Sequence, residues 1–356
     1  MPRRHAAAVL VAAIIQVVAP ATVHAATYEV YAGHDDLKSA PKQVSPNAFF
    51  PRTVTVHPND TVRWDFRGFH TVTFPVKGKQ PPPLALAATD VPVRDVRDAA
   101  GNPFWFNNQP SVVLNPVAVG KSVNKTWNGS RVLGSGIPTG SKPKPFVLRF
   151  QKTGTVTYYC AVHPGMRGTV HIVASSRRAP SPAATAAKGN REAKRYLLAA
   201  RRATAAPVPG GATVQAGRTT STFAVYRFFP ATRTVPAGQP VTFTMAKEFR
   251  SEIHTITFGP EKVRANLERN FIGPVPGASP GTLGLNPKGV YASDPPPSLP
   301  AYDAANHGDG FLNSGLIDND PASPFPGAVT ITFSKPGTYH YECVIHEHMD
   351  GTIVVR

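Results

Sequence analysis

The chain has 356 residues, a length that predicts about two domains. Its 38 Pro and 29 Gly would break long helices repeatedly and exclude a helical bundle, while 41% hydrophobic against 17% charged residues excludes a wholly disordered chain. With 38 Lys and Arg against 21 Asp and Glu the formal charge is +17, so the surface favours anionic partners, and an all-β chain is expected.

In chain order, Met1-Pro-Arg-Arg leads into an apolar run over 6–19 and then to small residues at Val23 and Ala25. A basic start, a short apolar centre and small residues predict a secretory signal over 1–25, cut near Ala25, and a secreted or periplasmic product. The run is shorter than the ~20 apolar residues that cross a bilayer, and no later segment is long and apolar enough either. No transmembrane segment is expected in the mature chain.

The next elements occur twice. FFPRTVTVHPNDTVRWDFRGFHTVTF (49–74) matches FFPATRTVPAGQPVTFTMAKEFRSEIHTITF (228–258). Each predicts an alternating strand, a Pro/Gly/Asn turn, a second strand and then His-Thr-Val/Ile-Thr-Phe. FVLRFQKTGTVTYYCAVHPGMRGTVHIV (146–173) matches AVTITFSKPGTYHYECVIHEHMDGTIVV (328–355), each with two strands about a Lys-x-Gly turn, a loop and a closing strand. His70 precedes Cys160 by 90 positions and His254 precedes Cys343 by 89. Agreement over so long an interval indicates an internal duplication, with one β-domain over 26–174 and one over 216–356.

The stretches between these segments, 75–145 and 259–327, are too long for ordinary loops and predict short strands with irregular elaboration. Gly134-Ser-Gly136 and Asn313-Ser-Gly315 stand at comparable places in them. Between the copies, 175–215 is rich in Ala, Pro, Ser and Arg. Its flanks read as flexible spacer, and one short helix is expected over 192–206, after Asn190. Eight Lys and Arg against Glu192 alone make it a basic linker, either solvated or docked on an anionic cell-envelope surface.

Each copy ends in Cys-x-x-His-x-x-Met: Cys160-Ala-Val-His163-Pro-Gly-Met166 and Cys343-Val-Ile-His346-Glu-His-Met349. His70 and His254 stand upstream on strands. A thiolate, two imidazoles and a weak thioether form the trigonal His₂Cys site with a long axial Met that suits copper in electron transfer. Two cysteines in a secreted chain ordinarily predict one disulfide. Here that pairing would require Cys160 and Cys343 to leave equivalent places in separate domains.

Both copies resemble cupredoxins, the blue (type 1) copper proteins of the plastocyanin, pseudoazurin and amicyanin type, and the first loop is most similar to the short amicyanin loop. The resemblance implies two tandem Greek-key β-sandwiches joined by the basic, partly helical linker. It implies two mononuclear copper sites, held by His70, Cys160, His163 and Met166 and by His254, Cys343, His346 and Met349. It also implies that His163 and His346 lie near the surface as electron ports, and that the chain is an electron carrier for redox partner proteins, here acidic ones.

Related two-domain copper oxidases and nitrite reductases need extra His ligands, commonly one directly before the Cys. Tyr159 and Glu342 stand there instead, the single His-x-His is His346-Glu-His348, and the spare His34, His57, His171, His307, His340 and His348 do not repeat. A catalytic copper cluster is therefore not expected, nor is a nucleic-acid surface; copper buffering or delivery is the alternative to electron carriage. Arg167 beside Met166, against Glu342, Glu347 and Asp350 around the second loop, predicts the higher reduction potential at the first site.

Overall fold

In the computed structural model the described residues are 25–35, 43–122, 126–140, 142–220, 222–245, 252–320 and 323–356. The expected signal segment lies outside them apart from Ala25. The alternation in sequence becomes strands with one buried face: Thr53–Val56, Thr61–Phe66 and Pro240–Met245 each send every second side chain inward along most of their length.

The first half forms two sheets. One has the order Phe146–Arg149, Thr61–Phe66, Thr27–Ala32, Phe49–Phe50; the other runs Thr53–Val56, Arg167–Ile172, Gly154–Tyr159, Thr73–Phe74, Leu133–Gly134. The second half repeats both orders, with Ala328–Thr332, Pro240–Met245, Thr213–Ala216, Phe228–Phe229 and with Thr232–Val235, Asp350–Val355, Gly337–Glu342, Thr257–Phe258, Leu312–Asn313. In both halves the first strand pairs in parallel with its neighbour, Thr61–Phe66 or Pro240–Met245, and the last strand pairs in parallel with the first strand of the second sheet.

Each sandwich is filled by one apolar cluster drawn from both of its sheets. The duplication extends to single contacts. Phe49 packs on Tyr158 with ring centroids 4.6 Å apart, and Phe228 packs on Tyr341 at the same 4.6 Å. Each tyrosine stands two residues before the loop cysteine and needs a glycine opposite. A Cβ on Gly168 would lie 2.3 Å from the Tyr158 ring tip, and one on Gly351 2.4 Å from that of Tyr341. Burying each of these aromatics stabilises the fold by about 3 kcal/mol and fixes the strand that delivers the cysteine.

The segment between the sandwiches departs from expectation. One 24-residue helix, Pro182–Ala205, replaces the short helix expected over 192–206. It starts where Ser181 accepts a hydrogen bond from the Ala184 N–H and Pro182 takes the first turn. Gly189 and Asn190 do not break it, because Gly189 is where the helix backbone abuts the first sandwich: a Cβ there would meet the Phe50 carbonyl carbon at 2.8 Å. Thr185, Gly189, Ala193, Leu197 and Ala200 form its buried face. Glu192 accepts the Arg52 N–H at 2.9 Å, and Lys188 donates to the Thr53 carbonyl at 3.0 Å. Arg218 closes the far end, donating to the Ala203, Ala206 and Pro207 carbonyls with its guanidinium 3.8 Å from the Phe229 ring. The helix is a docked strut. Among the described residues, no helix is long and apolar enough to cross a membrane.

The two long insertions pair with each other. Ala85–Pro92 and Pro110–Leu114 from the first join Ile272–Pro274 and Leu283–Leu285 from the second in one four-stranded sheet. Beneath it a shared apolar cluster takes Phe104 and Phe106 from one copy and Leu267, Phe271, Phe311 and Val344 from the other. The Trp105 indole N–H donates to the Ala292 carbonyl at 2.9 Å, and the Tyr291 hydroxyl to that of Pro110 at 2.6 Å. A second seam forms where Val44–Ser45 pairs antiparallel with Ala224–Val225. The insertions are therefore the core of the domain interface.

Candidate metal centres

In each copy the upstream histidine and the loop converge at one end of the sandwich. His70 lies in the loop between Thr61–Phe66 and Thr73–Phe74, not on the expected strand, and Cys160 and His163 follow directly on Gly154–Tyr159. The Nδ1 of His70 and of His163 are 3.0 Å apart and lie 3.9 and 3.5 Å from the Cys160 Sγ. In the second copy the Nδ1 of His254 and His346 are 3.2 Å apart and lie 3.8 and 3.6 Å from the Cys343 Sγ. The two copies thus build the same triangle to within a few tenths of an ångström. Both cysteines are free and buried, which excludes the disulfide.

The loop is fixed from inside. The Cys160 N–H donates to the Met166 carbonyl and the Met166 N–H to the His163 carbonyl; Cys343, Met349 and His346 repeat both bonds. Met166 and Met349 are each 1% exposed and belong to the same core clusters as their cysteines. The residue after the upstream histidine adds a clamp that the sequence did not advertise. The Thr71 N–H points at the Cys160 sulfur at 3.4 Å, and its hydroxyl oxygen accepts the Ala161 N–H at 2.7 Å. Thr255 does the same for Cys343, at 3.4 Å, and for the Val344 N–H, at 3.0 Å. The paired Ser motifs serve the same strand. The Ser135 hydroxyl accepts the Val72 N–H and donates to the Gly136 carbonyl; the Ser314 hydroxyl accepts the Ile256 N–H and donates to that of Gly315.

Burial lowers the basicity of all four histidines, taking His346 to about 3, so the imidazoles stay neutral and keep lone pairs for a cation. Burial pushes both thiols up. At Cys160 the neighbouring His70 and the N–H groups of Thr71 and His163 reverse the direction, while Cys343 remains raised. Two neutral Nδ1 atoms about 3 Å apart beside a buried thiol form a donor set that a soft or borderline cation satisfies. The residues present fit copper. Zinc would accept the same nitrogens and sulfur, but it prefers a fourth ligand stronger than a thioether.

One expectation is overturned. His163 is 6% exposed and the His346 side chain 11%, so neither ring stands open to solvent as a port. At His346 the cover comes from its own domain, through Tyr226 and Glu252, which the first domain's Gln43 and Asn47 hold. The Tyr226 ring stacks on His346 with centroids 4.0 Å apart and planes 9° apart, and the Glu252 carboxylate lies 3.4 Å from the His346 Nε2. Glu252, Tyr226 and the first domain's Asn47 carried no recognisable ligand spacing. Of the spare histidines, His307 joins the two insertions, with Nδ1 3.4 Å from Asp98 and Nε2 3.3 Å from Asp294. Among the described residues, the groups of three or more His, Cys, Asp or Glu close enough to share a cation are the two triangles already described.

No protein-family model and no curated protein matches the chain. Solved structures do. Oxidised plastocyanin from Dryopteris crassirhizoma is 21% identical, aligning 40% of this chain with 99% of its own at a TM-score of 0.20. A dithionite-reduced auracyanin from the photosynthetic bacterium Roseiflexus castenholzii is 19% identical over 36% of this chain and 87% of its own, TM-score 0.21. A Cu(I) form of a mutant amicyanin is 21% identical over 43% and 88%, TM-score 0.21. Strand order and ligand convergence carry the assignment, independently of these alignments. Each half of the chain is a cupredoxin-fold sandwich with a buried His-Cys-His cluster, and the two clusters, each with a buried loop methionine, are consistent with two mononuclear type 1 copper sites.

Proposed function

We propose that the chain is an extracytoplasmic electron carrier with one mononuclear type 1 copper per domain, held by His70, Cys160, His163 and Met166 and by His254, Cys343, His346 and Met349. The observation that supports this most is the convergence of one thiol and two Nδ1 atoms within 4 Å, buried and in duplicate. Copper held there supplies a one-electron couple, because sulfur favours Cu(I) and imidazole accepts Cu(II).

The chain's own residues do the rest. Burial keeps the imidazoles neutral, and the Thr71 and Thr255 N–H groups favour negative charge on sulfur. The packed aromatics behind each cysteine exclude water and hold the ligands in one arrangement, so little rearrangement accompanies a change of charge. The positive excess steers acidic redox partners, an attraction that salt weakens. Arg191, Lys194, Arg195 and Arg202 are exposed on the strut helix and offer a contact for anionic envelope surfaces.

Burial of both loop histidines favours a second reading, a copper buffer or delivery protein. Copper-loaded chain cycled repeatedly with a reductant and an oxidant beside a chelator separates the two. A carrier keeps two coppers and its colour through many cycles; a buffer loses metal to the chelator. Turnover of oxygen or nitrite by the same sample would overturn the non-enzymatic reading.

A further inference from the structure

Glu252 stands two residues before His254, where the first copy has Gly68 two residues before His70. It is 6% exposed. The Asn47 side chain of the first domain donates to its Oε1 at 2.5 Å, and its Oε2 lies 3.4 Å from the His346 Nε2. One domain therefore holds a carboxylate of the other against the outer nitrogen of a ligand imidazole. The inner nitrogen of that ring faces the Cys343 sulfur.

The first domain reaches that carboxylate through Asn47, a buried side chain 1% exposed. The backbone closes the arrangement. The Tyr226 N–H donates to the Gln43 carbonyl at 2.7 Å, placing the ring that covers His346 beside the first domain, and the Gln43 side chain donates to the His348 carbonyl at 2.9 Å. On the first domain's side, Gly33 donates to the Ala48 carbonyl, next to Asn47, and leaves no room between itself and His70: a Cβ there would lie 2.4 Å from the His70 Nε2.

A free-standing cupredoxin sandwich would offer the outer edge of its loop imidazole to a partner protein. Here that edge of His346 faces Glu252, which the other half of the same chain holds through Asn47. We propose that the two metal sites form an internally coupled pair that exchanges one electron across the domain interface through Asn47, Glu252 and His346; the coupling presupposes copper in both cages. One site is oxidised as the other is reduced. No bond forms or breaks, and no co-reactant is needed once the chain holds a single electron. Electronic coupling falls steeply with distance, and a side chain in hydrogen-bonded contact carries it better than a water-filled gap.

The test uses the full chain loaded with copper, beside Cys160→Ser and Cys343→Ser chains that each keep one site. The electron paramagnetic resonance spectrum of the fully oxidised two-copper chain should show dipolar broadening that the sum of the two single-site spectra lacks. After flash reduction by less than one electron per chain, redistribution between sites should slow roughly tenfold or more in Glu252→Ala and in Asn47→Ala. Glu252→Gln, which keeps the shape and one acceptor oxygen, should retain more of the rate. A blue two-copper chain whose spectrum superimposes on that sum overturns the coupling and leaves the copper reading standing. An unchanged rate in Asn47→Ala, which leaves every ligand in place, overturns the bridge. A chain with no blue band overturns the copper reading itself.

Discussion

Gly33 and Gly217 are the positions where a single methyl group should damage the metal sites most selectively. Gly33 has φ +74° and Gly217 φ +67°, in the left-handed region, and in each case an added Cβ would lie 2.4 Å from the Nε2 of the upstream histidine, His70 or His254. Ordinary contact begins at 3.4 Å, so the ring must retreat by about 1 Å. It cannot retreat toward its inner nitrogen, because the His163 Nδ1 already stands 3.0 Å from the His70 Nδ1 and the His346 Nδ1 3.2 Å from that of His254. Two effects follow in Gly33→Ala and Gly217→Ala: backbone strain of about 1–2 kcal/mol and a displaced ligand.

Controls separate them. Gly78 and Gly238 have φ +78° with nothing within 4 Å of an added Cβ, so Gly78→Ala and Gly238→Ala carry the strain without the collision. In a thermal melt of the metal-free chain the controls should lose the strain alone, and Gly33→Ala and Gly217→Ala the strain plus the cost of the collision. In a chelator competition, Gly33→Ala and Gly217→Ala should each weaken copper binding at one site by roughly 10–100-fold, about 1.4–2.8 kcal/mol, while the controls bind as the parent does. Copper affinity in Gly33→Ala equal to that in Gly78→Ala would refute the reasoning.

Thr71→Val and Thr255→Val remove the acceptor for the N–H that follows each cysteine and strand it in a buried place; a denaturant titration should show each losing about 1–3 kcal/mol. His307 has its pKa raised, first by its hydrogen bond to Asp294 against the opposing effect of burial, and then by Asp98. A raised folded pKa means that this stabilisation is complete below the ordinary value of 6.5 and is lost as pH rises through the folded value. His307→Asn, which tolerates the φ of +51° there, should therefore cost about 1–2 kcal/mol near pH 6 and much less near pH 8.5; a cost independent of pH would count against the clasp. The first site should have the higher potential, by an amount on the order of tens of millivolts, when Cys343→Ser and Cys160→Ser chains are titrated separately. Arg264 pairs with Glu342 at 3.2 Å and offsets one of the negative charges near the second loop, but the Glu252 carboxylate lies against His346. Equal or reversed potentials would reject this order.

The duplication and the ligand pattern were legible because they are local. Period-two alternation fixes which face of Thr61–Phe66 is buried, and Cys-x-x-His-x-x-Met closes within one loop at the end of one strand. The clamps were only half legible. Ser135 and Ser314 recur at matching places, but their purpose, satisfying the N–H two residues beyond the upstream histidine, appears only when the strands are paired. The helix exceeds the 192–206 expected because Ser181-Pro182 starts it ten residues earlier and Gly189 serves close approach to Phe50. The domain interface was not legible at all. Its contacts, such as Trp105 to Ala292 and Asn47 to Glu252, join residues far apart in sequence with no shared period. That is also why the cover over His346 could not be foreseen from the loop that carries it.

The most direct test of the central claim is copper content together with the visible absorption of the loaded chain and its two single-cysteine variants. Two coppers per chain with an intense thiolate-to-copper band, falling to one copper and a weaker band in Cys160→Ser and again in Cys343→Ser, is the expected result. A colourless metallated chain, or copper content unchanged by removing either thiol, would contradict it.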